Sequence, residues 1–288
     1  MRHPLKGFSR RAFPLLFALV LTVPIAAAAT APASASGHFQ SGKASLDITG
    51  AYGFWFKSAS PVGSDAVIRV AVGNGSFDPE YFDRFYDRVH AINARFVDDE
   101  HGVVFLEFAA NGKYHGLSYY FGSGDGCGYC LDNEVQSTVR LSQGRLQGHV
   151  GSQEKNRSFE VDLDVPVPEK EWGAPLPGDG GEAAKVYLAY QSALATRDVK
   201  AARPLLDARL KAFWQQQEKE GKLDGYLDYC WTEKHLEMKK AEVTGGFIRG
   251  DRAVLFVKGQ SVTAIHGEAL MRREDGVWRF SDELLGVE

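Results

Sequence analysis

The stretch VPVPEKEWGAPLPGDGG, residues 165–181, divides the chain into two parts of different character. It holds four of the eleven prolines and four glycines. Proline lacks the backbone N–H that helices and interior strands need, so neither element can run through this stretch. Strand-like alternation precedes it and helical periodicity follows it. We therefore predict a linker at 165–181 between an N-terminal domain, 37–164, and a C-terminal domain, 182–288.

Upstream of the linker, eight short segments are rich in β-branched and aromatic residues, which favours strands. In the clearest of them, Phe159, Val161 and Leu163 alternate with acidic residues, as in a strand with one buried and one solvated face. A mainly-β sandwich or open barrel is expected. The eight segments are residues 44–48, 51–56, 66–72, 103–108, 117–121, 135–141, 145–150 and 158–165.

One helix is expected to interrupt these strands. Asp78 is a suitable N-cap, and Pro79 suits the first helical position. A stripe at helical spacing follows, which predicts one continuous helix packed on a face of the sheet. The stripe consists of Phe82, Phe85, Tyr86 and Val89.

Downstream of the linker, apolar residues recur with helical periodicity and then with strand-like alternation. Helices are predicted at 182–196, 199–220 and 223–235, and strands at 236–248, 252–262, 264–272 and 277–285. The pairs Gly250-Asp251 and Asp275-Gly276 mark hairpin turns. This order predicts an α+β domain of about three helices on a curved antiparallel sheet.

Four motifs follow one another in the C-terminal part of the chain. They are Ala184-x-x-Tyr187-x-x-Tyr190-x-x-Ala193-x-x-x-Arg197-Asp198, Gly250-Asp251-Arg252-Ala253-Val254-Leu255, Gly267-x-Ala269-x-x-Arg272 and Asp275-Gly276-Val277-Trp278-Arg279-Phe280. In this order they resemble the nuclear-transport-factor-two-like superfamily, the cone-shaped domain shared with ketosteroid isomerases, over about residues 181–288. The resemblance implies a fold but no single function, because the superfamily includes isomerases, hydrolases and domains without catalysis.

The enzymes of this superfamily use a buried carboxylate as base, with Tyr or acid donors inside the cone. Six residues on the predicted helices are candidates for lining such a cone and binding a small apolar ligand. No residue matches a catalytic position, and packing in the core is the alternative role for the aromatic residues. The candidates are Tyr190, Trp214, Tyr226, Asp228, Trp231 and His235.

Cys127 and Cys130 follow a glycine-rich segment, 122–126. A Cys-x-x-Cys pair forms a disulfide, a redox centre or half of a metal site. The tetrad resembles that of periplasmic disulfide isomerases, but no helix follows it, and His101 and His115 stand at no recognised metal spacing. A structural disulfide closing a tight loop is therefore predicted, with no metal or cofactor. Cys230 is expected to be a buried, inert thiol.

Residues 1–36 have the pattern of a secretory signal peptide. Four basic residues precede an apolar run, 13–29, and a small-residue tract follows the run. Arg10-Arg11 also resembles the twin-arginine export motif. The apolar run is interrupted by two prolines and is short for a membrane span. The chain is expected to be exported, periplasmic or extracellular, without a stable membrane anchor after processing.

Removal of residues 1–36 would leave 29 basic and 37 acidic residues, a formal charge of −8. An acidic surface repels phosphate backbones, so nucleic acid is not an expected partner. The first hypothesis is a non-catalytic protein that binds a small apolar ligand or an envelope protein. The alternatives are an isomerase or hydrolase in the C-terminal cone and thiol–disulfide exchange through Cys127 and Cys130. A homodimer through the C-terminal domain is also possible from the resemblance.

Overall fold

The computed structural model describes residues 31–56, 67–122, 124, 126–177, 179–232, 238–260 and 263–287. Most of the predicted signal peptide and His235 lie outside these ranges, and the side chains of Cys230 and Trp231 are not described either. Pro32–Glu288 forms one compact unit. The division into two domains stays a prediction.

The described chain is mainly β, with sixteen strands in three sheets and six α-helices. In chain order the elements are β1 Ser34–Ser41, β2 Ala44–Ile48, β3 Gly50–Phe56, β4 Val67–Gly73, α1 Pro79–Phe82, α2 Arg88–Phe96, β5 Val103–Phe108, β6 Tyr114–Tyr120, β7 Gly126–Cys130, β8 Val135–Ser137, β9 Arg140–Ser142, β10 Arg145–Gln153, β11 Arg157–Pro166, β12 Ala174–Pro175, α3 Gly181–Ala195, α4 Val199–Ala202, α5 Ala208–Lys219, α6 Leu223–Thr232, β13 Lys239–Arg249, β14 Arg252–Gln260, β15 Ala264–Glu274 and β16 Val277–Val287.

The first two sheets share one apolar core. The first sheet has the order β2-β1-β11-β10-β8, with β9 also paired to β10, and the second has the order β3-β4-β5-β6-β7. Phe39 and Phe159 of the first sheet join Val70, Leu106 and others of the second in a single buried cluster. This is the packing of a β-sandwich, because the inner faces of two sheets supply the core between them.

The third sheet is an antiparallel meander with the order β12-β13-β14-β15-β16. One of its faces packs on the helices α3 to α6, where Leu255, Ala269 and Phe280 meet Tyr187 and Leu194. Helices on one face of an antiparallel sheet form an α+β layer, as the sequence predicts.

The other face of the third sheet meets α1 and α2. Val254, Leu270 and Leu284 share a buried cluster with Phe82 and Ile92, and the cluster continues onto the outer face of the second sheet. The helices α1 and α2 therefore lie between the second and third sheets.

The prediction of one continuous helix from Asp78 through Val89 is wrong. Helix α1 ends at Phe82 and α2 begins at Arg88. In a continuous helix the amides of Tyr86 and Asp87 would donate to carbonyls four residues earlier. They donate instead to the carboxylate of Glu268 in β15, at 2.7 and 2.6 Å, and a tertiary contact thus replaces one turn of helix.

The single helix expected at 199–220 is also interrupted. Helix α4 passes into a short 3-10 turn, Arg203–Leu205, and α5 begins only after Asp207. Pro204 cannot donate a backbone hydrogen bond, which favours a break there. Asp207 then caps α5 by accepting from the amide of Leu210 at 2.8 Å.

A further expectation is corrected at β7. Cys127 and Cys130 lie within β7, at the edge of the second sheet, and not in a loop between strands. Strand β1 starts at Ser34, inside the segment assigned to the signal peptide, and pairs with β11 from there onward.

The described residues of the linker pack against their surroundings. Strand β11 continues to Pro166, Val167 is buried in the sandwich core, and β12 pairs with the edge strand β13. Trp172 is half-buried, with its ring 5.2 Å from that of Tyr86 and 6.4 Å from that of Phe247. Trp172 thus contacts residues on both sides of the linker in sequence.

Candidate functional site

The described cone candidates do not surround one open pocket. Tyr190 and Trp214 are 4% and 3% exposed and belong to the core under the helices. Tyr190 stacks on Phe280 at 4.1 Å between ring centroids. Both side chains therefore pack in the apolar core, which is the alternative role that the sequence analysis gave for the aromatic residues.

Tyr226 and Asp228 lie nearer the surface. The Tyr226 ring meets Phe213 edge to face at 5.1 Å. Asp228 is exposed and pairs with Arg197 at 3.5 Å. Trp231 and His235 fall outside the described side chains, so their role stays a prediction.

A polar cluster between α3 and β16 was not predicted. The hydroxyl of Tyr187 donates to the carboxylate of Glu283 at 3.2 Å, and the amide of Gln191 donates to both, at 3.0 Å each. Burial and the Glu283 charge raise the pKa of Tyr187 well above its ordinary value. Of these residues only Tyr187 belongs to the motifs that carried the resemblance, where it could not be told from a core aromatic.

A cavity lies on the opposite face of the third sheet, beside α2. We call it the carboxylate pocket; its volume is about 790 Å³. Its lining combines aromatic rings with ionisable side chains, which is the usual composition of a small-molecule site. The residues that carry its chemistry are Tyr86, His90, Phe256, His266, Glu268 and Leu284.

Glu268 is the most buried ionisable group of the carboxylate pocket, at 4% exposure. Burial raises its pKa to about 7, although the amides of Tyr86 and Asp87 stabilise the ionised form. Each oxygen accepts one of these amides, and a carboxylate oxygen has a second lone pair. Glu268 therefore holds the start of α2 in place and keeps acceptor capacity for a ligand.

Two histidines lie close together at one wall of the pocket. Nε2 of His90 lies 3.6 Å and Nε2 of His266 lies 3.7 Å from the position that a Cβ at Gly286 would occupy. Burial is the main cause that lowers the pKa of His90, with a smaller contribution from His266, while Asp87 opposes the shift. His90 is therefore held neutral at neutral pH.

The rim of the pocket carries charged side chains, and two of them neutralise each other. Lys258 pairs with Glu242 at 3.2 Å, across β14 and β13. Both residues line the pocket, together with Lys240. The rim pair is more than half exposed, so it contributes little to stability and is screened by salt.

Cys127 and Cys130 lie at disulfide distance, with their Cα atoms 6.3 Å apart. Cys130 is buried and Cys127 is half-buried, and both pack against the sandwich core. The thiolate of a redox centre is activated by a helix N-terminus or a cation, whereas these residues are in an edge strand. The packing favours the structural role, and thiol exchange stays a prediction.

Comparison with protein-family models, curated proteins and solved structures found no match to the chain. Within the described ranges, no helix has both the length and the apolar character needed to cross a membrane. In the same ranges, no three His, Cys, Asp or Glu side chains are grouped so that they could hold a metal ion.

Proposed function

We propose that this chain is an exported, non-catalytic binding protein that holds a small ligand in the carboxylate pocket. The ligand combines an apolar body with a protonated nitrogen. The observation that carries this proposal is the buried carboxylate of Glu268 in a pocket lined by aromatic rings.

The apolar part of the ligand is matched by Phe256, Tyr86 and Leu284, which line the pocket. The ring centroids of Tyr86 and Phe256 lie 5.2 Å apart, and a third ring, Phe247, packs against both. A preformed aromatic wall binds an apolar body without a large cost of side-chain ordering. It also attracts cations through the negative faces of the rings.

The charged part of the ligand is matched by Glu268. A buried carboxylate is costly when ionised alone, and a protonated amine placed beside it would restore the lost solvation. Lys258 does not oppose such a ligand strongly because Glu242 neutralises it, and the lowered pKa of His90 keeps that ring uncharged. Lys170, whose charge favours the ionised form of Glu268, is the cation that a bound ammonium would meet. A bound ammonium would lower the pKa of Glu268 from about 7.

The test compares three probes with the same apolar body: 3-phenylpropylamine, 3-phenylpropanol and 3-phenylpropanoate. We expect the amine to bind by calorimetry about tenfold more tightly than the alcohol at pH 8, which corresponds to about 1.4 kcal/mol. The preference should weaken below pH 7, because Glu268 is then protonated. The propanoate should bind most weakly.

Glu268→Gln should remove the preference for the amine, whereas Glu242→Gln, which removes a rim carboxylate, should retain it. Three outcomes would overturn the proposal: no amine binding at millimolar concentration, equal binding of the three probes, or an unchanged preference in Glu268→Gln. Circular dichroism of both variants checks that the fold is kept.

A second candidate function is an isomerase or hydrolase acting on a small apolar substrate. The observation that favours it is again Glu268, because a carboxylate with a pKa about 7 is suited to proton transfer near neutral pH. A suitable probe is cyclohex-3-enone, whose C2 proton Glu268 would remove and return at C4 to give the conjugated enone. A rise in enone absorbance above buffer, lost in Glu268→Gln, would favour catalysis over simple binding.

A further inference from the structure

Four arginines stand in register across the third sheet. The directly opposite pairs are Arg249 with Arg252, Arg252 with Arg272, and Arg272 with Arg279. Opposite residues of antiparallel strands share a face, so the four form one row on β13 to β16. The row lies on the same face as Val254 and Leu270, near α1 and the linker.

Such a row is energetically unfavourable by itself. Adjacent strands are about 4.8 Å apart, and like charges directly opposite each other destabilise a sheet. Guanidinium groups cannot relieve the repulsion by losing a proton. Other arginines of the chain pair with acids, such as Arg145 with Asp164 and Arg157 with Asp132, both at 2.6 Å.

Three arginines of the row open into a second cavity of about 530 Å³, which we call the arginine cleft. Its cations come from four parts of the chain: the residues after α1, the linker, α5 and the third sheet. They are Arg84, Lys170, Arg209, Arg249, Arg252 and Arg272.

The acids that line the same cleft do not neutralise the row. Asp83 accepts from the hydroxyl of Tyr52 at 2.6 Å, and Asp207 accepts from the hydroxyl of Ser281 at 2.8 Å as well as capping α5. Glu80, Glu171 and Asp251 also line the cleft. Among the described residues, no acid lies at ion-pair distance from Arg252 or Arg272.

The remaining arginines of the cleft have ion-pair or hydrogen-bond partners. Arg84 and Arg209 both face Asp282, at 3.0 and 3.7 Å. Arg249 donates to the backbone carbonyl of Glu171 at 3.0 Å, which ties the linker to the sheet. Arg252 and Arg272 are thus the groups with unused donors.

Lys170 adds a further cation from the linker. Its ammonium lies 4.0 Å from the ring centroid of Trp172 and is partly buried. Burial, together with the nearby charges of Arg88, Arg252 and Arg249, lowers its pKa to about 8, against the opposing effect of Asp83. Its proximity to Arg252 and Arg249 places the lysine and the row in one field of positive potential.

We propose that the arginine cleft binds a small multivalent oxyanion, one with two or more phosphoryl or carboxylate groups, which bridges Arg252 and Arg272 and reaches Lys170. Arginine forks bind such groups through paired, charge-assisted hydrogen bonds. A multivalent anion offsets the repulsion along the row, whereas a single carboxylate can face only one guanidinium squarely. The cleft shares no described lining residue with the carboxylate pocket, although the charge of Lys170 also acts on Glu268, and its ligand has the opposite charge.

The test uses pyrophosphate and citrate as multivalent probes and acetate as the monovalent comparison, by calorimetry at low ionic strength. We expect both multivalent anions to bind more tightly than acetate, and their affinity to fall steeply as salt is added. A preference for pyrophosphate would indicate a phosphorylated ligand, and a preference for citrate would indicate a polycarboxylate. Absence of binding of both at millimolar concentration would overturn the proposal.

Arg252→Gln and Arg272→Gln should each weaken the binding of the preferred anion about tenfold or more. The matched control is Arg273→Gln, which removes the same charge from the same strand; Arg273 stacks on Trp278 instead and does not line the cleft. The control should change the affinity less than twofold. The melting temperature separates binding from folding, because removing one arginine from the row should leave it unchanged or raise it. An equal loss of affinity in the control would also overturn the proposal.

Discussion

The two faces of the third sheet differ in how completely they are covered. Helices α3 to α6 cover one face, where Leu255 and Ala269 are fully buried. Helices α1 and α2 cover only the middle of the other face, where Leu270 and Val254 are buried. The two cavities open at either end of this second face, with Glu268 in one and Arg272 in the other.

This difference separates the residues of a single strand by function. Along β15, Ala269 and Met271 point into the closed core, while Glu268, Leu270 and Arg272 point to the other face. Side chains of a strand alternate between faces, so neighbouring residues can have unrelated roles. The sequence candidates Tyr190 and Trp214 lie in the core of the closed face, whereas the cavities that carry our proposals lie on the face covered by the rest of the chain.

The largest effect expected from this comparison is the loss of a closed-face side chain. Leu255→Ala should lower the free energy of unfolding by about 3 kcal/mol, because it leaves a cavity in a dry core. Phe256→Ala, one residue further along β14, should cost about 1 to 2 kcal/mol, since Phe256 is half-buried and borders the carboxylate pocket. Urea unfolding of both variants measures the two values. Equal costs would show that the second face is as closed as the first.

A pH-dependent effect should appear at Glu268. Its pKa in the folded chain is about 7 against an ordinary 4.5, so between these values the folded state binds more protons than the unfolded state. The stability of the wild type relative to Glu268→Gln should therefore fall as pH rises through this window, by roughly 3 kcal/mol in total. Urea unfolding of both proteins at several pH values gives the difference.

The comparison with Glu268→Gln is needed because other groups titrate in the same range. The lowered pKa of His90 gives the opposite slope, as stability then rises with pH while the unfolded histidine loses its proton. Asp87, His266 and Lys170, whose pKa is about 8, also act on these two groups. A difference between the two proteins that is independent of pH would contradict the buried position of Glu268.

A further effect concerns the linker that lies along the second face. Trp172→Ala should cost about 2 kcal/mol, because roughly half of a large aromatic surface loses its contacts with Tyr86 and Phe247. It should also speed proteolysis between residues 169 and 181. Trp172→Phe keeps an aromatic ring and should give an intermediate value. Unchanged proteolysis in Trp172→Ala would mean that β12 alone holds the linker.

Much of the local structure was readable from the sequence. Helix α3 and the four-stranded meander follow from periodicity, and the expected turns lie between β13 and β14 and between β15 and β16. Asp78 caps α1 as predicted, accepting from the amide of Tyr81 at 3.1 Å. Within the linker, Trp172 contacts Tyr86, which precedes it in sequence, and Phe247, which follows it.

The candidate sites could not be read in the same way. The break between α1 and α2 depends on Glu268, which is 181 and 182 residues from the amides that it accepts. The arginine row requires the register of four strands, and a shift of one residue would turn a side chain to the opposite face. The sequence shows Arg249, Arg252, Arg272 and Arg279 only as separate charges.

The sequence by itself determined the elements and their amphipathic faces, because periodicity, proline content and capping act within a few residues of the chain. The acidic excess and the signal-peptide pattern are equally local. The tertiary structure decided which faces were closed and which were left open, and it brought Glu268 to α2 and Arg252 beside Arg272. Charge and burial act through space. Residues far apart in sequence therefore shift one another's pKa, add to one electrostatic potential or line one cavity only when strands pair and layers pack.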